Sequence, residues 1–475
     1  MSARAELAID WVAPPFAGHL FPIVALAAGL AARGFTRQRV LSTPGACDSV
    51  QAQRLEFVPL LAAREHEVSS VANTPARVGF APWRLLAQLR QNLALCGDIQ
   101  RELDAVWSRA QPDVVIADFT LPFAGHLAEA RGARWWTSMP SPCALETRRG
   151  TPSYLGGWID HGAAWSRLRD RAGCLAVRGT KLALGRLVRH ELAALGVPRL
   201  YREDGTEVAY SRERILALGA REFEFDRPDW PAAVEFVGPV TASARADAEG
   251  APDAALTPVP GREPSFEPGR VHILVSLGTH LGWAKERAVR ATIAAARALP
   301  EWRFHFTRGR AGLDAAERDD VALADAPPNW TAYDYVAYDQ HLARYDVALI
   351  HGGTGVTYAC LERGIPMLVW PHDYDQFDHA ARVVASGAGR RFRARRLAQD
   401  LVALNGGLAP ARRPGVRTGG RPGGGPGGLS VERDAAARMG EALRGYDAVS
   451  ALERRLGALV GEAPLEPRPI PRTAL

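Results

Sequence analysis

Along the first 240 residues, short apolar runs alternate with longer stretches of helical spacing. Leu7–Ala13 reads as a strand. Leu20, Ile23, Val24, Ala27 and Leu30 then repeat at the spacing of one helix face, predicting a helix over Leu20–Arg33 that stops at Gly34. Asp113–Ala117 is an unbroken apolar run of buried-strand type, followed by a helical Ala124–Arg131 ending at Gly132 and a further strand over Arg134–Ser138. From Thr241 to Gly269 periodicity fades into Ala, Asp, Pro, Glu and Gly, the composition of a linker. The alternation then restarts with strand Val271–Ser276, turn Leu277-Gly278-Thr279, helix Glu286–Leu299 and strand Arg303–Thr307. Strand–helix alternation of this kind predicts parallel sheets with crossover helices, the doubly wound α/β class. The expected organisation is therefore a domain over 1–240, a linker over 241–269 and a second domain over 270–475. Residues 405–430, dense in Gly, Pro and Arg, are expected to form a surface loop, and Glu432–Leu459 reads as a closing helix.

Length agrees with two domains, since 475 residues exceed one ordinary core. The hydrophobic share of 47% is that of a globular chain, and no run approaches the ~20 apolar residues of a membrane span. Met1-Ser2-Ala3-Arg4 leads straight into a strand, without the apolar core of a signal peptide, so a cytoplasmic location is expected. Five scattered cysteines (Cys47, Cys96, Cys143, Cys174, Cys360) form no C-x-x-C pair, so neither a zinc site nor a disulfide framework is expected. The net charge of +6 comes almost wholly from arginine, with Lys181 and Lys285 the two lysines. It is spread among 52 acidic residues and accompanies no nucleic-acid motif, so no nucleic-acid partner is expected. A peripheral membrane contact stays open, as does a monomer or weak dimer.

The chemistry concentrates in His351–Gln376, HGGTGVTYACLERGIPMLVWPHDYDQ. An apolar strand, Asp346–Ile350, ends at His351. Gly352, Gly353 and Gly355 allow a sharp turn and close backbone approach, and Val356–Glu362 opens a helix. Strand, glycine turn and helix N-terminus aim backbone N–H groups and a positive dipole end at one point, which suits a phosphate. A second strand, Ile365–Trp370, leads to Asp375 and Gln376, a pair able to hydrogen-bond vicinal sugar hydroxyls. A diphosphate cradle beside such a pair indicates a nucleotide-sugar site.

The segment resembles the donor-binding signature of the family 1 glycosyltransferases, UDP-glycosyltransferase-like enzymes of the GT-B fold. Its H-x-G-x-G-x-T…D-Q pattern is met by His351, Gly353, Gly355, Thr357, Asp375 and Gln376. The stretch from Ala380-Ala381-Arg382 to Gly389-Arg390-Arg391 is similar to bacterial members acting on natural products and carotenoids. The resemblance implies two Rossmann-like domains facing across a cleft, the first binding the acceptor and the second a nucleotide sugar, with the closing helix returning to the first domain. It implies that His19, in Gly18-His19-x-x-Pro22, is the general base, with Asp118 at the end of its strand as partner. Diphosphate contacts would come from His351, the N–H groups around Gly353 and Gly355, Thr357 and the Ser276-Leu277-Gly278-Thr279 turn. This charge compensation would stand in for a metal, so neither a metal nor another cofactor is expected. Val336, after Tyr335, falls where the family holds the base. The implied reaction is inverting transfer of a hexose from a UDP-sugar or dTDP-sugar to a hydroxyl of a lipophilic small molecule, read by loops such as Val68–Pro82 and Ser141–Asp160.

Two positions depart from the family pattern. Ala359 stands where the family commonly has a ribose-binding Glu, which leaves uridine against thymidine open, and Val356 replaces a frequent Ser. Asp10, inside an apolar strand, has no account from sequence. Competing readings are a nucleotide-sugar epimerase, a non-catalytic homologue assisting a partner enzyme, and a nucleic-acid binder using Arg390–Arg421, where nine arginines face the single acid Asp400.

Overall fold

Two doubly wound sheets organise the chain. The computed structural model describes residues 3–74, 77–78, 81–159, 163–241, 263–280, 282–309, 325–407 and 430–461. The expected linker and the Gly/Pro/Arg-rich loop fall largely at 242–262 and 408–429, outside the described residues. The compact units are Met1–Thr74 with Val78–Thr257 and Tyr446–Leu475, and Pro75–Arg77 with Pro258–Gly445.

The first unit carries seven strands: β1 (Ile9–Val12), β2 (Gln38–Ser42), β3 (Glu56–Pro59), β4 (Val114–Asp118), β5 (Arg134–Met139), β6 (Arg214–Ala217) and β7 (Val234–Phe236). They pair in parallel in the order β3-β2-β1-β4-β5-β6-β7. Its main helices are α1 (Ala17–Ala32), α2 (Pro82–Arg109), α3 (Pro122–Ala130) and α4 (Ala164–Leu187). Both sheet faces are covered, which is why β1 and β4 lack polar alternation. Ile9 and Trp11 pack on one face with α1, while Val12 and Val115 pack on the other with α2 and α3.

The second unit repeats the plan with six parallel strands: β8 (Val271–Ser276), β9 (Trp302–Thr307), β10 (Trp330–Tyr333), β11 (Val347–Ile350), β12 (Met367–Val369) and β13 (Gly389–Arg391). Their order is β10-β9-β8-β11-β12-β13. The main helices are α5 (Gly282–Ala298), α6 (Thr354–Glu362), α7 (Gln376–Ala385) and α8 (Val431–Leu443), with α9 (Ala448–Gly457) belonging to the first unit. The closing segment expected as one helix is thus two. Arg444-Gly445 ends α8, and Asp447 caps α9 by accepting from the Ser450 N–H. α9 packs on α1, where Val449 lies so close to Gly29 that an added Cβ would approach it to 2.8 Å.

In each sheet the chain reverses direction between its first and fourth strands, at β1/β4 and at β8/β11. Open α/β sheets bind ligands beyond the carboxyl ends of their strands at this point.

Among the described residues no helix is long and apolar enough to cross a membrane. Asp10 finds its explanation in the sheet. It faces Arg39 across β1 and β2 in register. Arg39 donates to both carboxylate oxygens (2.9 and 2.7 Å), and Trp107 Nε1 of α2 donates to one (2.7 Å).

Candidate active site

At the first switch point the expected dyad is assembled. Helix α1 starts at Ala17, three residues earlier than its apolar periodicity predicts, so His19 lies in the first helical turn and not in the preceding loop. Asp118 is the last residue of the adjacent strand β4. His19 Nδ1 stands 3.0 Å from both Asp118 oxygens. The carboxylate is buried, and the Thr120 N–H and hydroxyl also donate to it. Phe119 stacks on the imidazole at 5.5 Å and 17°. Since an ionised carboxylate only accepts, the geometry puts the hydrogen on Nδ1 and makes Nε2 the basic nitrogen. The His19 side chain remains 26% exposed, so this nitrogen can be reached.

The second switch point is built around His351, which follows β11. Gly278, after β8, and Gly353 flank its ring. A Cβ at Gly278 would stand 2.9 Å from the imidazole, and one at Gly353 only 2.4 Å from Nε2. Gly278 also has φ +73°, and Gly309, after β9, approaches the Gly278 carbonyl so closely that a Cβ would lie 2.4 Å away. Three strand-end loops are therefore stacked with no room for side chains between them. Burial pushes His351 down to about 4, so at neutral pH the ring is uncharged and offers a single N–H. His372, between Trp370 and Trp283, is likewise lowered to about 4 by burial.

Helix α6 opens at Thr354 with Gly353 as its cap residue and no side-chain cap. The first-turn N–H groups of a helix have no partner within it and are left for a ligand. A Cβ at Gly355 would meet nothing within 4 Å, so this turn faces open space.

Several predicted contacts are placed otherwise. Thr357 is fully buried and its hydroxyl donates to the Gly353 carbonyl (2.8 Å), inside the helix and away from the open turn. The residue presenting a hydroxyl at the helix start is Thr354, 3.1 Å from His379 Nε2. Ser276, the last residue of β8, is also fully buried, its hydroxyl 2.6 Å from the Tyr338 hydroxyl, so this turn can serve a ligand through its backbone and not through that side chain. Val336 is buried and Ala359 is 2% exposed. Thr279 follows Gly278 in the loop that Gly309 abuts.

Asp375 precedes α7, with its carboxylate 3.7 Å from His379 Nε2. The buried Gln376 accepts through Oε1 from the His372 and Asp373 N–H groups (2.8 and 3.3 Å), so its NH₂ is the end that can donate. Asp373-Tyr374-Asp375 has the D-x-D spacing of a carboxylate pair. Its Asp373 is buried and accepts from the Tyr374 N–H. Thr354 and His379 were not singled out from sequence. The signal available for His379 was its place four residues after Asp375 on one helix face.

The chain is similar to several known proteins. Residues 311–406 match the C-terminal domain family described as erythromycin biosynthesis protein CIII-like. The chain is 24% identical over 404 residues to a zeaxanthin glucosyltransferase of Pseudescherichia vulneris, covering 83% of this chain and 89% of that one. It is 25% identical over 305 residues to the 4'-demethylrebeccamycin synthase of Lentzea aerocolonigenes, covering 64% and 67%. The crystal structure of the kitacinnamycin glycotransferase aligns over 94% of this chain and 99% of its own, with a TM-score of 0.64 at 23% identity. Motifs, sheet order and relatives agree, and the chain is a glycosyltransferase of the GT-B fold, similar to bacterial natural-product and carotenoid glycosyltransferases.

Proposed function

We propose that the chain transfers a hexose from a UDP-sugar or dTDP-sugar to a hydroxyl of a lipophilic small molecule, with inversion at the anomeric carbon. The observation that carries this reading is the His19–Asp118 pair at the first switch point. His19 Nε2 takes the proton of the acceptor hydroxyl as its oxygen bonds to the anomeric carbon. The bond from that carbon to the diphosphate breaks on the opposite face, and one displacement inverts the centre. Asp118 keeps the tautomer and stabilises the imidazolium. The departing diphosphate gains negative charge, which the α6 N-terminus, the neutral His351 N–H and the Gly278 loop offset without a metal. Asp375 and the Gln376 NH₂ read the sugar hydroxyls. On the acceptor side, Tyr154 is 38% exposed in the loop before α4, which suits a flat apolar aglycone.

The test is turnover with a panel of nucleotide sugars and lipophilic alcohols, followed by mass detection, with EDTA present and absent. His19→Ala should lower turnover about 10² to 10⁴-fold while leaving nucleotide affinity nearly unchanged, because a general base acts in the transition state. Asp118→Asn should add little to His19→Ala in the double variant. Undiminished turnover of His19→Ala on a hydroxyl acceptor would remove the dyad from the mechanism, and loss of turnover in EDTA would remove metal independence.

A further inference from the structure

The exposed large apolar side chains of this protein are concentrated on one helix. Of nine among the described residues, five stand on α4: Trp165, Leu168, Leu175, Leu182 and Leu187. Leu168, Leu175 and Leu182 are seven residues apart, so on a helix of 3.6 residues per turn they form one line, and Trp165 lies a turn before the first. Ala172 and Gly179 are exposed between the leucines, with Arg171 at the edge of the line and Arg186 at its end. From Trp165 to Leu187 the exposed apolar residues span about 33 Å.

The inward face of α4 is made of small and polar residues with few large apolar ones. The buried face of α4 holds Ser166, Asp170, Gly173, Cys174 and Val177, with Gly173 packed closely on Trp158, Pro152 and Leu155, and polar contacts add to this. Arg178 and Lys181 pair with Glu146, outside the helix. The leucines are thus on the outside because the inward face is already committed. An apolar stripe of this length on the surface marks a docking face.

Charge selects the occupant. Six basic residues on α4 (Arg167, Arg169, Arg171, Arg178, Lys181, Arg186) accompany the single acid Asp170, a net +5 by subtraction. Arg167 and Arg171 are exposed along one edge of the stripe, and Arg186 and Arg189 are exposed at its end. A second copy of the chain would bring like charges together along the same line, whereas an anionic bilayer offers both apolar depth and opposite charge.

We propose that α4 docks flat on an anionic lipid bilayer, with Leu168, Leu175 and Leu182 entering the acyl boundary and Arg171 and Arg186 meeting headgroup phosphates. This goes beyond the transferase reading and does not depend on it.

Flotation of the full chain with vesicles tests the proposal, using phosphatidylcholine alone and phosphatidylcholine with one quarter phosphatidylglycerol. Binding should favour the anionic vesicles at least tenfold and weaken steeply between 0.1 and 0.5 M salt. Leu168→Glu/Leu175→Glu should abolish it at unchanged melting temperature. Arg171→Gln/Arg186→Gln should weaken it about 25-fold, roughly fivefold per charge. Absence of binding to anionic vesicles, or equal binding by the leucine variant, overturns the proposal. So does a wild-type dimer in sedimentation equilibrium that the leucine variant makes monomeric without any vesicle binding, since the face would then belong to a second copy.

Discussion

His351 has its position because two neighbouring residues have no side chains. Gly353 and Gly355 are equivalent in the motif but do different things in the structure. A Cβ at 353 would drive into the imidazole, whereas a Cβ at 355 would point into open space. Gly353→Ala should therefore lower the melting temperature, with overpacking costing about 1–3 kcal/mol, and weaken nucleotide binding as well. Gly355→Ala should leave stability equal or about 0.5–1 kcal/mol higher, since it replaces glycine within a helix. It should still weaken nucleoside diphosphate binding about tenfold or more if the diphosphate occupies that turn. Thermal melts and calorimetric titration of UDP and dTDP on both variants measure the two effects. Unchanged affinity in Gly355→Ala would place the diphosphate elsewhere. The motif could not supply this distinction, nor that between Thr354 and Thr357. Spacing puts both threonines near the helix start, but which hydroxyl bonds back into the helix depends on a rotation that only the folded loop fixes.

Asp10 shows the same limit for an element. Strand β1 is legible from its apolar residues, and its central place follows from being buried on both faces. What permits a carboxylate there is the parallel register that sets Arg39 opposite, together with an indole from α2 almost a hundred residues on. No local pattern carries that information. Burial raises the Asp10 carboxyl above its usual range while Arg39 pulls it back, so the pair is held by mutual need. Removing one partner strands the other in a low-dielectric site. Asp10→Ala should destabilise the first unit by about 3–5 kcal/mol, and Asp10→Asn by less because Trp107 keeps an acceptor. A urea melt followed by tryptophan fluorescence measures the loss, and a change below about 1 kcal/mol would mean that Arg39 is satisfied by other groups, such as the Ala110 carbonyl it already reaches. Seven of the thirteen described strands were legible as apolar runs, whereas β2, β3, β6, β7, β10 and β13 and the order of the strands within each sheet were not. Helix starts were not: the first turn of α1 carries Gly18 and His19 in place of the apolar positions on which periodicity rests, and α5 begins at Gly282, four residues before the expected Glu286.

For the whole molecule, the histidines buried for structure or ligand binding set the response to acid. Burial lowers His126 in the first unit, beside Trp135, to about 4, and does the same to His351 and His372 in the second. Each returns to an ordinary value near 6.5 when the chain unfolds. Between these two values the unfolded chain binds more protons than the folded one, so stability rises with pH there. Their contribution is full above about pH 6.5 and is lost progressively as pH falls to about 4. One such group costs about 2 kcal/mol between pH 7 and pH 5, at roughly 1.4 kcal/mol per pH unit per proton. The second unit, which holds His351, His372 and also His272, lowered by burial as well, should therefore weaken more steeply than the first. His126→Phe removes one titration from the first unit while keeping an aromatic ring against Trp135. Its loss of stability from pH 7 to pH 5, measured by denaturant melts at each pH, should be about 2 kcal/mol smaller than in the wild type. An unchanged pH dependence would show that His126 takes up no proton on unfolding, and would remove burial of this ring as a source of acid sensitivity.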